Sequence, residues 1–131
     1  MMIISNAQLS SDTISAINNL IEMNIKAGVA FKLMRIIKEI SSLIEDKLTM
    51  EKKILEKWME RDDNGDPVLV YDNGVLVDGA VRIKNMNSFQ EEMNSLLNAE
   101  TTLQYSKINF DDLGLDVIKI KDLLKIDFIF E

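Results

Sequence analysis

The stretch that decides the fold is "VAFKLMRIIKEISSLIEDKLTMEKKILEKWMER", residues 29–61. It contains neither proline nor glycine, and its apolar residues return every three or four positions. That spacing is typical of one face of an α-helix. We therefore predict one long amphipathic helix over 29–61. The apolar residues of its main stripe are Leu33, Ile37, Ile40, Ile44, Leu48, Leu55 and Trp58.

A helix of this length needs more covering surface than a small domain usually offers. The stripe is spaced like the seam of a coiled coil, which favours pairing with an antiparallel second copy of the chain. We therefore expect a homo-oligomer, most simply a dimer. The sequence leaves one alternative open, in which the stripe packs within its own chain and the helix kinks near residues 47–53.

The stretch "RDDNGDPVLVYDNGVLVDG", residues 61–79, combines aspartates, asparagines and glycines as a metal loop or a hairpin would. A calcium loop of the EF-hand type that uses Gly65 as its sixth residue would need a bidentate acid at the twelfth, which is Tyr71. Asn73-Gly74, by contrast, is a strong type I′ turn signal between two apolar runs. With a second reversal at Asp78-Gly79, the stretch predicts an antiparallel β-hairpin or meander over 67–84.

Two shorter helices are predicted on either side of these segments. Apolar residues at helical spacing predict one over 10–23, with Ser10 or Ser11 as its N-cap. The stretch "NSFQEEMNSLLNAE" predicts the other over 88–98, where Asn87 and Gln90 have the spacing of a capping box.

The tail, residues 101–131, is predicted to be rich in strands. "TTLQYSKINF" has the β-branched and aromatic content of a strand, and "DVIKI" alternates apolar and polar residues. "KIKDLLKIDFIFE" fits either a helical turn around Asp122 to Leu124 or an edge strand. The chain as a whole is predicted to be one α+β domain over 1–131: a long amphipathic helix, two shorter helices and a small antiparallel hairpin.

Composition narrows the function. The 131 residues include no cysteine and no histidine, which excludes thiolate nucleophiles and thiolate zinc sites and removes the commonest acid-base side chain near neutral pH. Carboxylate-metal or carboxylate-pair chemistry is the catalytic alternative that this composition leaves open. We predict a non-enzymatic protein with no cofactor and no metal. No signal peptide or membrane span is recognisable, so we expect a cytoplasmic location.

The net charge of −7 is spread unevenly along the chain. Residues 26–61 carry nine basic and six acidic side chains, whereas residues 62–131 carry six basic and 14 acidic ones. This acidity argues against direct binding of nucleic acid, which requires neutralisation of phosphates. It predicts an acidic interaction surface instead, with Asp62, Asp63, Asp66, Asp72, Asp78, Asp111 and Asp112 as its candidate residues.

The order of these features resembles a family of small bacteriophage proteins of unknown function from phages of low-GC Gram-positive bacteria. The similarity runs over about residues 26–130, through "KAGVAFKLMRIIKEI", "LEKW", "DDNGDP", "NSFQEEMNSLLNAE" and "INFDDLGLDVIKIKDLLKIDFIF". It rests on apolar and charged spacing and carries no catalytic motif. It implies a phage product that acts in the bacterial cytosol.

In that context we expect a protein that acts by binding a host or phage protein and inhibits a host or defence factor. One alternative is a small-molecule sponge that holds a nucleotide signal between protomers, with Arg82, Lys84 and the lysines of the long helix as its only available phosphate contacts. Another is a role in virion assembly or as a chaperone.

Overall fold

The computed structural model describes residues 2–115 and 118–131. In these residues the chain forms four α-helices and two antiparallel two-stranded sheets, which confirms the α+β class. The elements in chain order are β1 (Met2–Ser5), α1 (Ser11–Glu22), α2 (Ala27–Trp58), β2 (Leu69–Asp72), β3 (Val75–Val81), α3 (Met86–Asn98), β4 (Glu100–Leu103) and α4 (Ile120–Ile126).

Contacts group these elements into two compact units. Unit 1 comprises residues 2–47, 97–115 and 118–131, and unit 2 comprises residues 48–96. The long helix α2 contributes its first part to unit 1 and its last part to unit 2.

Unit 1 contains the main hydrophobic core. Its sheet pairs β1 with β4, so that Met2 lies opposite Leu103 and Ser5 opposite Glu100. Strand β1 was not predicted. The buried side chains come from every part of the unit: Met2, Ile4, Leu9, Ala16, Ile17, Leu20, Leu33, Ile36, Ile40, Leu103, Ile108, Leu113, Ile126, Phe128, Ile129 and Phe130.

The two helices that open the chain follow their sequence signals closely. Ser10 caps α1, because its hydroxyl oxygen accepts from the Thr13 backbone N–H at 3.3 Å. The long helix begins at Ala27, two residues earlier than predicted, and Gly28 lies within its first turn. It ends at Trp58 instead of residue 61, because the backbone beyond it turns into the β-type pairing of unit 2.

The prediction of a strand-rich tail is wrong. Strand β4 covers only the start of the predicted "TTLQYSKINF" strand, and a 3-10 turn follows at Phe110–Leu113. The helix α4 and a 3-10 turn at Asp127–Ile129 then occupy the segment that the sequence left ambiguous between helix and strand. The predicted "DVIKI" strand begins at Asp116 and Val117, which lie outside the described residues.

Unit 2 is organised around a ring of three backbone hydrogen bonds. The Glu60 N–H donates to the Arg82 carbonyl at 2.8 Å, the Val68 N–H to the Glu60 carbonyl at 2.9 Å, and the Arg82 N–H to the Val68 carbonyl at 2.9 Å. Each of the three residues therefore donates once and accepts once within the ring. This ring, which we call the hairpin root, joins the end of α2 to both strands that lead to the turn.

The β2–β3 hairpin extends from this root. Asn73 and Gly74 have φ values of 50° and 79°, the positive values that a type I′ turn requires at both central residues. The predicted second reversal at Asp78-Gly79 is wrong, because β3 continues through both residues to Val81. The register shifts there instead, since Tyr71 pairs with Leu76 whereas Leu69 pairs with Val81.

Helix α3 begins at Met86, two residues earlier than predicted. The Asn85 side-chain oxygen accepts from the Ser88 N–H at 3.1 Å and occupies the capping position. The predicted capping box of Asn87 and Gln90 is therefore wrong, because both residues lie within the helix.

Candidate functional site

The hairpin exposes large apolar side chains on both of its faces. Tyr71 lies opposite Leu76, and both side chains are exposed. Because side chains alternate along a strand, Val75 and Val77 belong to the other face, where they are exposed as well. Tyr71 is 62% exposed and Val75 is 68% exposed. A two-stranded hairpin is only marginally stable by itself, and a contiguous exposed apolar patch commonly marks an interaction site.

The same segment is strongly acidic. Residues 62–81 contain five aspartates and no lysine or arginine. Four of them, Asp63, Asp66, Asp72 and Asp78, are exposed side chains on or beside the hairpin. The segment therefore combines apolar faces with an excess of negative charge, bordered by Arg61 and Arg82.

Asp62, the fifth aspartate, has a structural role. Its Oδ1 accepts from the backbone N–H groups of Asn64 and Asp66, both at 3.0 Å. The Asp62 N–H in turn donates to the Asp66 carbonyl at 2.8 Å. This loop reverses the chain at Asn64 and Gly65.

The predicted acidic surface is divided between the two units. Asp111 and Asp112 lie in the 3-10 turn of unit 1, where the Asn109 side-chain oxygen accepts from the Asp111 N–H at 3.0 Å. The five other predicted aspartates belong to unit 2. We therefore confine the candidate surface to unit 2.

Unit 2 buries little of its own apolar surface. Among the described residues, Ile54 and Met59 are the only buried hydrophobic residues of unit 2, whereas sixteen form the core of unit 1. Helix α3 has an apolar face but no buried residue. Much apolar surface in this unit therefore remains available for contact with another molecule.

A shallow cleft of about 370 Å³ lies against the hairpin. It is lined by Leu69, Val70, Tyr71 and Arg82. The Arg82 guanidinium also lies 3.9 Å from the Glu60 carboxylate. The cleft is large enough to receive one or two side chains of a bound protein.

An ion pair joins α2 to α3 within unit 2. The Lys57 ammonium donates to the Glu92 carboxylate and lies 5.1 Å from the centre of the Trp58 ring. The hydrogen bond from Lys57 lowers the pKa of Glu92, against a smaller opposing effect of partial shielding from water. The buried Trp58 indole N–H also lowers this pKa, although it forms no regular hydrogen bond within the described residues.

The predicted oligomer seam is largely used within the chain. Leu33 and Ile40 are fully buried in the core of unit 1, and Ile37 and Ile44 pack against that core. Leu48, in contrast, is 57% exposed. The remaining seam residues, Leu55 and Trp58, are partly buried in unit 2. Four of the seven seam residues therefore pack against the chain's own core. The homodimer stays a prediction.

Within residues 2–115 and 118–131, no three acidic side chains converge as metal ligands. No helix in the same residues has a stretch both long and apolar enough to cross a bilayer.

Sequence reasoning found the acidic residues of this site but missed its apolar ones. The signal was present in "LVYDNGVLV", where apolar residues occupy both faces of the hairpin. A hairpin with one face on a core and the other in water would alternate apolar and polar residues instead. Comparison with known proteins found no matching family model, no similar curated protein and no similar solved structure.

Proposed function

We propose that this chain is a non-enzymatic binding protein that holds a protein partner through its β2–β3 hairpin. The observation that carries the proposal is the combination of exposed apolar side chains with five aspartates and no basic residue over residues 62–81. A partner that covers these exposed apolar side chains removes them from water, which lowers the free energy of the complex.

The charge of the hairpin specifies the partner's surface. Asp72 and Asp78 flank the apolar side chains, so a second hairpin of the same kind would be repelled. An apolar groove bordered by lysine or arginine would instead be attracted, and opposite charges across an interface increase the rate of association.

The hairpin also offers backbone groups for binding. It forms a two-stranded sheet, so its outer edges have main-chain groups available to pair with an added strand. Strand β2 forms one of these edges, and its residues Leu69 and Tyr71 are exposed. A partner strand added beside β2 would bring its side chains against Leu69 and Tyr71.

The resemblance to phage proteins supports action in the bacterial cytosol. There the partner is a host or defence protein, and occupation of its basic, apolar groove inhibits it. The absence of cysteine and histidine throughout the chain agrees with action by binding.

The test compares two matched sets of substitutions in a pull-down from lysate of a low-GC Gram-positive bacterium. The hairpin variant combines Tyr71→Thr, Val75→Thr and Leu76→Thr, because threonine keeps the strand propensity while removing apolar area. The control variant, Ile120→Gln with Leu124→Gln, removes apolar side chains that are 74% and 70% exposed on α4.

We expect a single stoichiometric protein to be retained by the unmodified chain and by the α4 variant, and to be lost with the hairpin variant. Asp72→Asn with Asp78→Asn should slow association of that protein and reduce its salt dependence. Equal retention by the hairpin and control variants would contradict the proposal.

A further inference from the structure

A second surface, in unit 1, has the opposite chemistry. A cleft of about 530 Å³ lies between α2 and the segment that follows β4. Its volume is within the range of small-molecule sites. It is lined by Arg35, Lys38, Glu39, Ser42, Gln104 and Tyr105.

The basic residues of the cleft share one side of α2. Arg35, Lys38 and Ser42 are spaced three and four residues apart, so their side chains neighbour one another on the helix surface. Lys32 continues the same row one turn earlier, where its ammonium donates to the Ser106 hydroxyl oxygen at 3.1 Å. A row of cations therefore follows the segment 104–107.

These cations are available to a ligand. Within the described residues, neither Arg35 nor Lys38 has a carboxylate at ion-pair distance, although Glu39 lines the same cleft. The Arg35 guanidinium lies over the Phe31 ring, 5.1 Å from its centre. An aromatic ring restrains the guanidinium without neutralising its charge, which leaves its N–H donors free to bind an anion.

We propose that this cleft binds a nucleoside phosphate. Arg35 and Lys38 bind the phosphate, the former through paired hydrogen bonds and the latter as a point charge. Ser42 and Gln104 supply neutral hydrogen-bonding groups. The half-buried Tyr105 offers a ring face for stacking of the base.

The Glu39 carboxylate in the cleft favours a nucleoside phosphate over inorganic phosphate as the ligand. Glu39 would repel inorganic phosphate, but it can accept hydrogen bonds from ribose hydroxyls. The neighbouring cleft of about 470 Å³ is a weaker candidate, because Asp112 and Glu131 balance the charges of Lys32 and Lys107 there.

The experiment titrates AMP, GMP, CMP and UMP, each alone, and inorganic phosphate into the full chain by calorimetry at low ionic strength. We expect at least one nucleotide to bind tenfold or more tightly than phosphate. The double variant with Arg35→Gln and Lys38→Gln should lower the affinity for that nucleotide at least tenfold. Lys52→Gln with Lys53→Gln, a matched loss of two exposed charges on the same helix, should change its affinity less than twofold.

A second pair of variants tests stacking. Tyr105→Leu should lower the affinity for the nucleotide and leave the affinity for inorganic phosphate unchanged. Tyr105→Phe keeps an aromatic ring and should keep the nucleotide affinity. Circular dichroism of each variant verifies its fold. The proposal is overturned if no nucleotide binds at millimolar concentration, or if phosphate binds as tightly as every nucleotide. It is also overturned if the Arg35/Lys38 and Lys52/Lys53 double variants lower the nucleotide affinity equally. Hairpin variants leave nucleotide binding unchanged, which separates this result from the test of the proposed function.

Discussion

The Lys57 ammonium on α2 is hydrogen-bonded to the Glu92 carboxylate on α3. The pair joins two helices in the unit that buries the fewest hydrophobic residues. The ion pair therefore contributes a larger share of this unit's stability than it would beside a large hydrophobic core.

The ion pair makes the stability of unit 2 dependent on pH. Because the folded pKa of Glu92 is lowered, the carboxylate stabilises the fold above its ordinary pKa, and this contribution is lost as the pH falls through the lowered value. We expect Glu92→Gln to reduce the free energy of unfolding at pH 7 and to have a smaller effect at pH 3. Urea unfolding at both values measures this difference.

Glu91→Gln is the control for that experiment. It removes the same charge from an exposed neighbour on α3. An equal loss of stability in the two variants at pH 7 would show that net charge, and not the contact with Lys57, is responsible.

Asp62 is expected to stabilise the loop that ends at Pro67. Asp62→Ala removes an acceptor of two backbone hydrogen bonds, so we predict a loss of about 1–2 kcal/mol. Asp63→Ala removes an exposed carboxylate from the same loop and should have little effect. Faster hydrogen exchange of the Asn64 and Asp66 amides in the Asp62 variant alone would confirm the local cause.

Two glycine-to-alanine substitutions should have opposite effects. Gly74 has a φ of +79°, so Gly74→Ala should cost about 1–2 kcal/mol in the turn. Gly28 lies in the first turn of α2 with open space at the Cβ position, so Gly28→Ala should stabilise by up to about 1 kcal/mol. Thermal unfolding of both variants measures the two signs, and destabilisation by Gly28→Ala would contradict the helical account.

Asp122 is the least favourable buried group in unit 1. It is 4% exposed, and its Oδ2 has no hydrogen-bond partner among the described residues. An unpartnered oxygen in a buried carboxylate costs more free energy than one in a neutral amide, while the position near the start of α4 favours an acid by less than about 1 kcal/mol. We expect Asp122→Asn to raise the free energy of unfolding by about 1 kcal/mol. Asp127→Asn, at an exposed position, is the control in the same denaturation assay.

The sequence predicted the elements whose signals are local. The long helix has a repeating apolar stripe, and the turn at Asn73-Gly74 is encoded by two adjacent residues. Strand β1 has no such signal, because its four residues gain their role from β4, almost one hundred positions later in the chain. The segment of α4 was left open between a helical turn and an edge strand, and the structure forms the helix there, with Ile126 buried in the core.

The candidate sites were predictable to different degrees. The aspartates around the hairpin were identified, but the periodicity of Leu33 and Ile40 could not show whether a second copy or the chain's own core covers them. The cleft of Arg35 and Tyr105 depends on residues 70 positions apart and could not be recognised from either segment alone.

The hairpin root affects how freely the side chains of the β2–β3 hairpin can change during evolution. Glu60, Val68 and Arg82 hold the base of the hairpin through main-chain atoms, which nearly every amino acid supplies equally. Point mutations between Leu69 and Val81 can therefore alter the contacting side chains while the attachment persists, and proline is the substitution that would break it at the root. On the proposed function, the hairpin can change the side chains that it presents to a partner through successive single mutations, while its backbone attachment stays the same.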